Sequence, residues 1–208
     1  MNSKPAEKEI DERKESLKKI RDEVLALHSS PLYKERITNK AFPVIGEGSH
    51  FANIVFIGEA PGKNEAETGR PFVGAAGKIL NKLLEEVGIA RDEVYITNIV
   101  KDRPSQNRDP SPEEIASYGP FLDRQIDIIK PRVLATLGRF SMAYIMKKFG
   151  LEADVKPISI LHGKTFEAKS SYGTVTIVPL YHPAVAIYNS ASLDTLKEDF
   201  KILKEITK

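Results

Sequence analysis

The chain has 208 residues, 41% hydrophobic and 29% charged, with 13 glycines and 13 prolines, which suits a globular protein with one well-buried core and excludes fibrous or disordered classes. Its 31 basic and 29 acidic residues leave a formal net charge of +2, so nucleic-acid binding would need a local basic face. The absence of cysteine excludes disulfides, thiolate nucleophiles and cysteine-ligated zinc or iron-sulfur centres, and no metal or other cofactor is expected.

In chain order, residues 1–30 are expected to form an amphipathic helix packed on a single domain spanning 1–208. Ile10, Leu17, Ile20, Val24 and Leu27 recur near helical spacing and make one apolar stripe. Ser29, Ser30 and Pro31 end that helix, and a loop runs from Phe42 to His50. Four apolar, β-branched runs predict buried parallel strands at Asn53 to Gly58, Val94 to Val100, Val133 to Gly138 and Thr174 to Leu180. Helical patterns cover Ala75 to Val87, Pro112 to Ile129, Arg139 to Lys148 and Ser192 to Ile206, and Arg103 to Pro112 is a proline-rich loop. Alternating strands and helices predict an α/β layer sandwich whose ligands bind at the carboxyl ends of the strands. Glu59, Asn98 and His182 fall there. No apolar run approaches the roughly 18 residues of a membrane span, and Met1 to Arg13 is polar, so a cytoplasmic protein without a membrane partner is expected. A monomer is expected as well.

The most specific stretch reads Gly58-Glu59-Ala60-Pro61-Gly62, followed by Thr68-Gly69-Arg70-Pro71-Phe72-Val73-Gly74 and Ala76-Gly77-Lys78-Ile79-Leu80. Alone, a glycine-rich turn after a strand is a tight β-to-α connection. Three further segments follow in order: Asn98-Ile99-Val100-Lys101, the loop with Arg103-Pro104, Asn107-Arg108 and Pro110 to Glu113, and His182-Pro183-Ala184. Together they resemble the motif set of the family-4 uracil-DNA glycosylases over most of the chain from about Leu27. The resemblance implies a three-layer α/β/α sandwich with a central four-stranded parallel sheet, a monofunctional glycosylase reaction and single- or double-stranded DNA containing uracil as substrate. It also implies departures. The family's cluster cysteines correspond here to Leu27, Ser30, Asp102 and Tyr118, so the usual iron-sulfur cluster has no thiolate ligands. Ala66 stands where relatives commonly have an acidic residue, and Tyr188 where many have arginine.

Excising a base requires flipping the nucleotide out of the stack, at a cost of a few kcal/mol that a pocket must offset. Phe72 is the candidate stacking face, although a lone phenylalanine is more often core. The Asn98 amide can both give and accept hydrogen bonds at the N3 and O4 edge of uracil, or it could cap backbone groups. Gly58, Ala60, Pro61 and Gly62 complete the expected base-binding turn. Cleavage puts negative charge on the base and positive character on the sugar, which suits His182 as a donor near O2 and Glu59 as a carboxylate orienting water, stabilising the sugar, or both. Lys101, Arg103 and Arg108 are expected phosphate contacts in a loop that could equally be plain surface. His162 and Lys164 are further DNA-binding candidates, with His162 readable as an ordinary loop histidine; His28 and His50 are assigned to structure. Two other readings stay open: a glycosylase for hypoxanthine or xanthine, and a non-catalytic binder of damaged DNA.

Overall fold

The computed structural model describes residues 5–189 and 191–206. Its sheet is built on four strands that are apolar on both faces. Along β2, Ile54 and Phe56 point to one side and Val55 and Ile57 to the other, as a two-residue side-chain period requires, and both sides are buried. A sheet so constituted must be covered twice. Numbered in chain order, the strands are β1 (Glu47–Gly48), β2 (Ile54–Gly58), β3 (Tyr95–Asn98), β4 (Val133–Leu137), β5 (Phe166–Ser170) and β6 (Gly173–Leu180), in the spatial order β1-β3-β2-β4-β6-β5. The central four are parallel, and β1 and β5 add antiparallel edges. The sandwich and its parallel core match the expectation, and the sheet gains two edge strands. Both edges were hard to read: β1 has only two residues, and β5 (Phe-Glu-Ala-Lys-Ser) buries only Ala168.

The helices are α1 (Glu7–Leu25), α2 (Tyr33–Thr38), α3 (Lys63–Thr68), α4 (Ala75–Val87), α5 (Pro112–Ile129), α6 (Arg139–Lys148), α7 (Ile158–Leu161), α8 (Val185–Tyr188) and α9 (Ala191–Ile206). One layer packs Leu80, Leu83 and Leu84 of α4 and Leu196, Phe200 and Leu203 of α9 against Phe56, Ile96 and Val178. The other packs Leu17, Ile20 and Val24 of α1 and Leu122 and Ile126 of α5 against Val55, Ile57 and Ile177. The expected N-terminal stripe thus docks through its C-terminal half, while Ile10 is 41% exposed and Leu27 lies in the turn beyond the helix. Helix α5 starts with Pro112 after a capping box in which Ser111 and Glu114 exchange side-chain-to-backbone bonds. Register places Gly58 beside Asn98 and Leu137 beside Leu180. The strand ends that carry Glu59, Asn98 and His182 therefore converge on one edge of the sandwich.

Candidate active site

At that edge lies a cavity of about 340 Å³ lined by Glu59, Phe72, Asn98 and His182, together with Ala60, Pro61, Gly62, Glu65 and Arg108. It is the size of a small-molecule site. Gly58 lies behind two of these side chains. A Cβ there would sit 2.2 Å from the Asn98 Oδ1 and 2.9 Å from the Phe72 ring, so no other residue lets those side chains meet above the strand end. Asn98 is buried, and its Oδ1 has no hydrogen-bond partner among the described residues. An unsatisfied buried acceptor facing a cavity is costly, and a ligand N–H would relieve it.

Phe72 is buried with φ of +50°, a left-handed conformation unusual for an aromatic residue. Its neighbours hold it. The Glu65 carboxylate accepts from the Val73 and Gly74 N–H groups at 2.9 and 2.8 Å, and Arg91 donates to the Pro71 carbonyl at 2.7 Å. Gly77 allows α4 to approach, since a Cβ there would lie 1.9 Å from the Phe72 carbonyl oxygen. The Phe72 and His182 rings sit 5.6 Å apart. Glu65 and Arg91 were missed in the sequence. Glu65 stands six residues after Glu59, in the gap between the first two motif segments, and only the fold shows that its carboxylate turns back on the loop.

His182 is half-buried in the cavity wall, and desolvation pushes its pKa down to about 4, with Glu65 opposing. Its Nδ1 accepts the Ala184 N–H at 3.1 Å, so the neutral ring carries its proton on Nε2. Burial raises the Glu59 pKa to about 7; Asp109 also raises it and Arg139 lowers it. Asp109 and Arg139 are themselves an ion pair. The site therefore pairs a neutral histidine donor with a carboxylate poised to hold or release a proton near neutrality.

A family model described as "Uracil DNA glycosylase superfamily" matches residues 45–205. Type-4 uracil-DNA glycosylases of Sulfurisphaera tokodaii and Archaeoglobus fulgidus are 47% and 42% identical to the chain, each over 92% of it and over 85% and 94% of their own lengths. The chain belongs to the uracil-DNA glycosylase superfamily, in its type-4 branch. A type-4 uracil-DNA glycosylase of Thermotoga maritima is 39% identical over 86% of the chain and 88% of its own length.

Within this type-4 frame, the residues at the expected cluster positions do not fit a cluster, because an alkyl group, a hydroxyl, a carboxylate and a phenol replace the thiolates it requires. They form something else. The Tyr118 hydroxyl donates to Asp102 at 2.6 Å, which leaves the Ser30 hydroxyl to donate to Tyr118, also at 2.6 Å. Arg36, buried at 5% exposure, donates to both Asp102 oxygens and to the Val24 and Leu25 carbonyls at the end of α1. Burial raises the Asp102 pKa, against the lowering effects of Tyr118 and Arg36. The network joins α1, the turn through Ser30, the loop after β3 and α5, while Leu27 packs on the core beside it. Asp102→Ala strands a buried guanidinium and is expected to cost about 3–5 kcal/mol. Tyr118→Phe, which removes one hydroxyl, is expected to cost about 1–3 kcal/mol. Urea unfolding midpoints check both, and wild-type midpoints would show that the network adds nothing.

The candidate DNA contacts of this type-4 member divide. Lys101 is a correction: its side chain is fully buried, donating to the Thr97 hydroxyl, the Asn98 carbonyl and the Gln125 Oε1, and cannot reach a phosphate. An ammonium on the strand end is carried under the sheet edge, whereas the reading from sequence had placed it in the loop. Arg103 is partly exposed and, among the described residues, bonds only the neutral Asn107 side chain. Arg108 reaches the cavity but is paired through both nitrogens with Glu114. His162 pairs through Nδ1 with Asp199 at 2.8 Å and packs against Tyr181, away from the cavity, while Lys164 is exposed. His28 and His50 pack against Tyr33 and Tyr95, as their structural assignment requires.

Proposed function

We propose that this chain hydrolyses the N-glycosidic bond of uracil in DNA as a monofunctional, base-flipping enzyme, acting as a cytoplasmic monomer without a cluster. The observation that carries the reading is the convergence of Glu59, Phe72, Asn98 and His182 on one cavity, with one chain supplying every group. The flipped base enters over Gly58 and stacks on Phe72, which contributes about 1–3 kcal/mol. The Asn98 Oδ1 accepts the uracil N3–H and its amide N–H faces O4; cytosine presents the reverse pattern and leaves two mismatched pairs. As the C1′–N1 bond breaks, its electron pair moves into the uracil ring and toward O2, where the His182 Nε2–H donates. The sugar acquires oxocarbenium character beside the Glu59 carboxylate. Water adds to C1′ and Glu59 takes its proton, leaving an abasic site and the uracil anion; protonation of that anion by solvent and loss of the proton from Glu59 to solvent give free uracil and restore the site.

Backbone contact falls to the partly exposed Arg103, the exposed Lys164 and Arg108 at the cavity rim, where its charge is shared with Glu114. Tyr188, one turn beyond the pocket-lining Ala184 and 88% exposed, offers an aromatic face to bases around the vacated position. Single-turnover excision on matched strands containing uracil, hypoxanthine or xanthine tests the reading. Abasic sites are expected in the uracil strand alone, and faster release of a purine would replace this substrate with that one.

A further inference from the structure

Lys101 is spent on nothing in the mechanism above, yet it is one of the largest fully buried side chains, with 0% exposure. A buried ammonium is expensive unless all its protons are bonded. Here they are, at 2.8 Å to the Thr97 hydroxyl, 2.7 Å to the Asn98 carbonyl and 2.6 Å to the Gln125 Oε1. No carboxylate is among these partners; the cation is held wholly by dipoles, and burial lowers its pKa well below the usual lysine value.

Its place in the sheet explains the need. The Ile99 N–H bonds the Gly58 carbonyl on the β2 side, so the Asn98 carbonyl points to the opposite edge of β3. On that edge β1 pairs only as far as Ile96. The last strand residue would therefore have a free carbonyl and a free edge, directly behind the amide that faces the cavity. Lys101 fills the missing ladder position. Gln125, whose Nε2 donates to the Ile45 carbonyl and to the Tyr95 hydroxyl, ties this anchor to α5 and to the segment before β1. Thr97 donates to the same Ile45 carbonyl at 2.7 Å.

We propose that Lys101 is a positioning residue that fixes the end of β3 so that the Asn98 amide meets the uracil edge in one orientation, and that it takes no part in holding DNA. The proposal rests on the reading of Asn98 as the base-recognising group. A misplacement of about 1 Å at a reacting or recognising group costs on the order of 10²-fold, so a loose strand end is a large defect.

The test is Lys101→Met, which keeps the linear stem and removes the ammonium. Free uracil is used as a competitive inhibitor beside single-turnover excision, duplex binding and its salt slope. The expected result is uracil inhibition at least about tenfold weaker and excision slowed by about 10 to 10²-fold, with duplex affinity and salt slope unchanged. The chain has no cysteine, so Lys101→Cys can be aminoethylated at that position alone, in denaturant before refolding, and the restored ammonium should bring back uracil affinity. If Lys101→Met does not fold, Gln125→Met removes one of the three acceptors and should weaken uracil inhibition in the same direction. Wild-type uracil affinity and rate in the folded variant would overturn the proposal, as would a salt slope lowered by about one unit, the mark of a phosphate contact. Asn98→Asp, run in parallel, separates the two claims. If it too keeps full uracil affinity and activity, base recognition has been misassigned; if it loses them while Lys101→Met does not, only the role of Lys101 fails.

Discussion

Replacing His182 with alanine lowers the rate of bond cleavage by about 10²- to 10³-fold while binding of uracil-containing DNA weakens little. The size follows from the ring's state. With Nδ1 engaged by the Ala184 N–H and a pKa pushed down to about 4, the imidazole is neutral across the physiological range and presents Nε2–H to the cavity. A neutral donor gains little from the weakly basic O2 of bound uracil and much from the anion that forms as the bond breaks, so its contribution appears in the transition state. Single-turnover rates and equilibrium binding on one substrate separate the two effects. Equal losses in rate and affinity would show that His182 holds the ground state instead. Because the ring stays neutral, its titration should leave no mark on the rate above about pH 5.

Glu59→Gln is expected to reduce excision by about 10²- to 10⁴-fold, and the wild-type rate is expected to rise with pH through about 7 and then level off. The carboxylate must be ionised to take a proton from water or face a cationic sugar, and burial works against ionisation. Asp109 works in the same direction and Arg139 in the other, so Asp109→Asn should move the rise to lower pH and Arg139→Ala to higher pH. Stability carries the opposite signature. The folded-state pKa, about 7, is raised above the ordinary 4.5, so the folded state holds its proton more tightly than the unfolded chain. Stability from that proton is complete below about 4.5 and is lost as pH rises through about 7. Glutamine, a neutral mimic, avoids that loss, and the inactive variant should melt higher than wild type at about pH 8, with the gap closing below about pH 4.5. A lower melting temperature at every pH, or a pH–rate profile unmoved by Asp109→Asn, would remove Glu59 from this role.

The parallel core was legible because strands buried on both faces read as continuous β-branched runs: β2, β3 and β4 lie within the expected ranges, and β6 starts one residue before its own. The cavity was legible because its residues sit at strand ends, where an α/β sheet binds ligands. Side-chain direction was not. Lys101 follows Asn98 by three residues in a segment that looks like the start of a basic loop, and only the short reach of β1 shows that its ammonium turns inward. The partner of Asp102 was equally hidden, since Arg36 lies 66 positions away and Tyr118 comes from the far side of the loop. The loop after β3 is legible as proline-rich, but its prolines do not act alone. It also uses the Arg103 bond to Asn107, left-handed Gln106 and Asn107, and the Arg108 pair to the capping residue Glu114. Such long-range pairings leave no periodic trace in a sequence.

The central claim is that this type-4 member cleaves uracil from DNA with a site that needs no cluster. The most direct measurement is a single-turnover assay on a uracil-containing oligonucleotide with the purified chain, with iron determined on the same sample. Alkali-labile abasic sites forming at the uracil position, by protein holding far less than one iron per chain, is the predicted result. Folded protein that leaves the strand intact, or activity that tracks tightly bound iron near one cluster per chain, would contradict it.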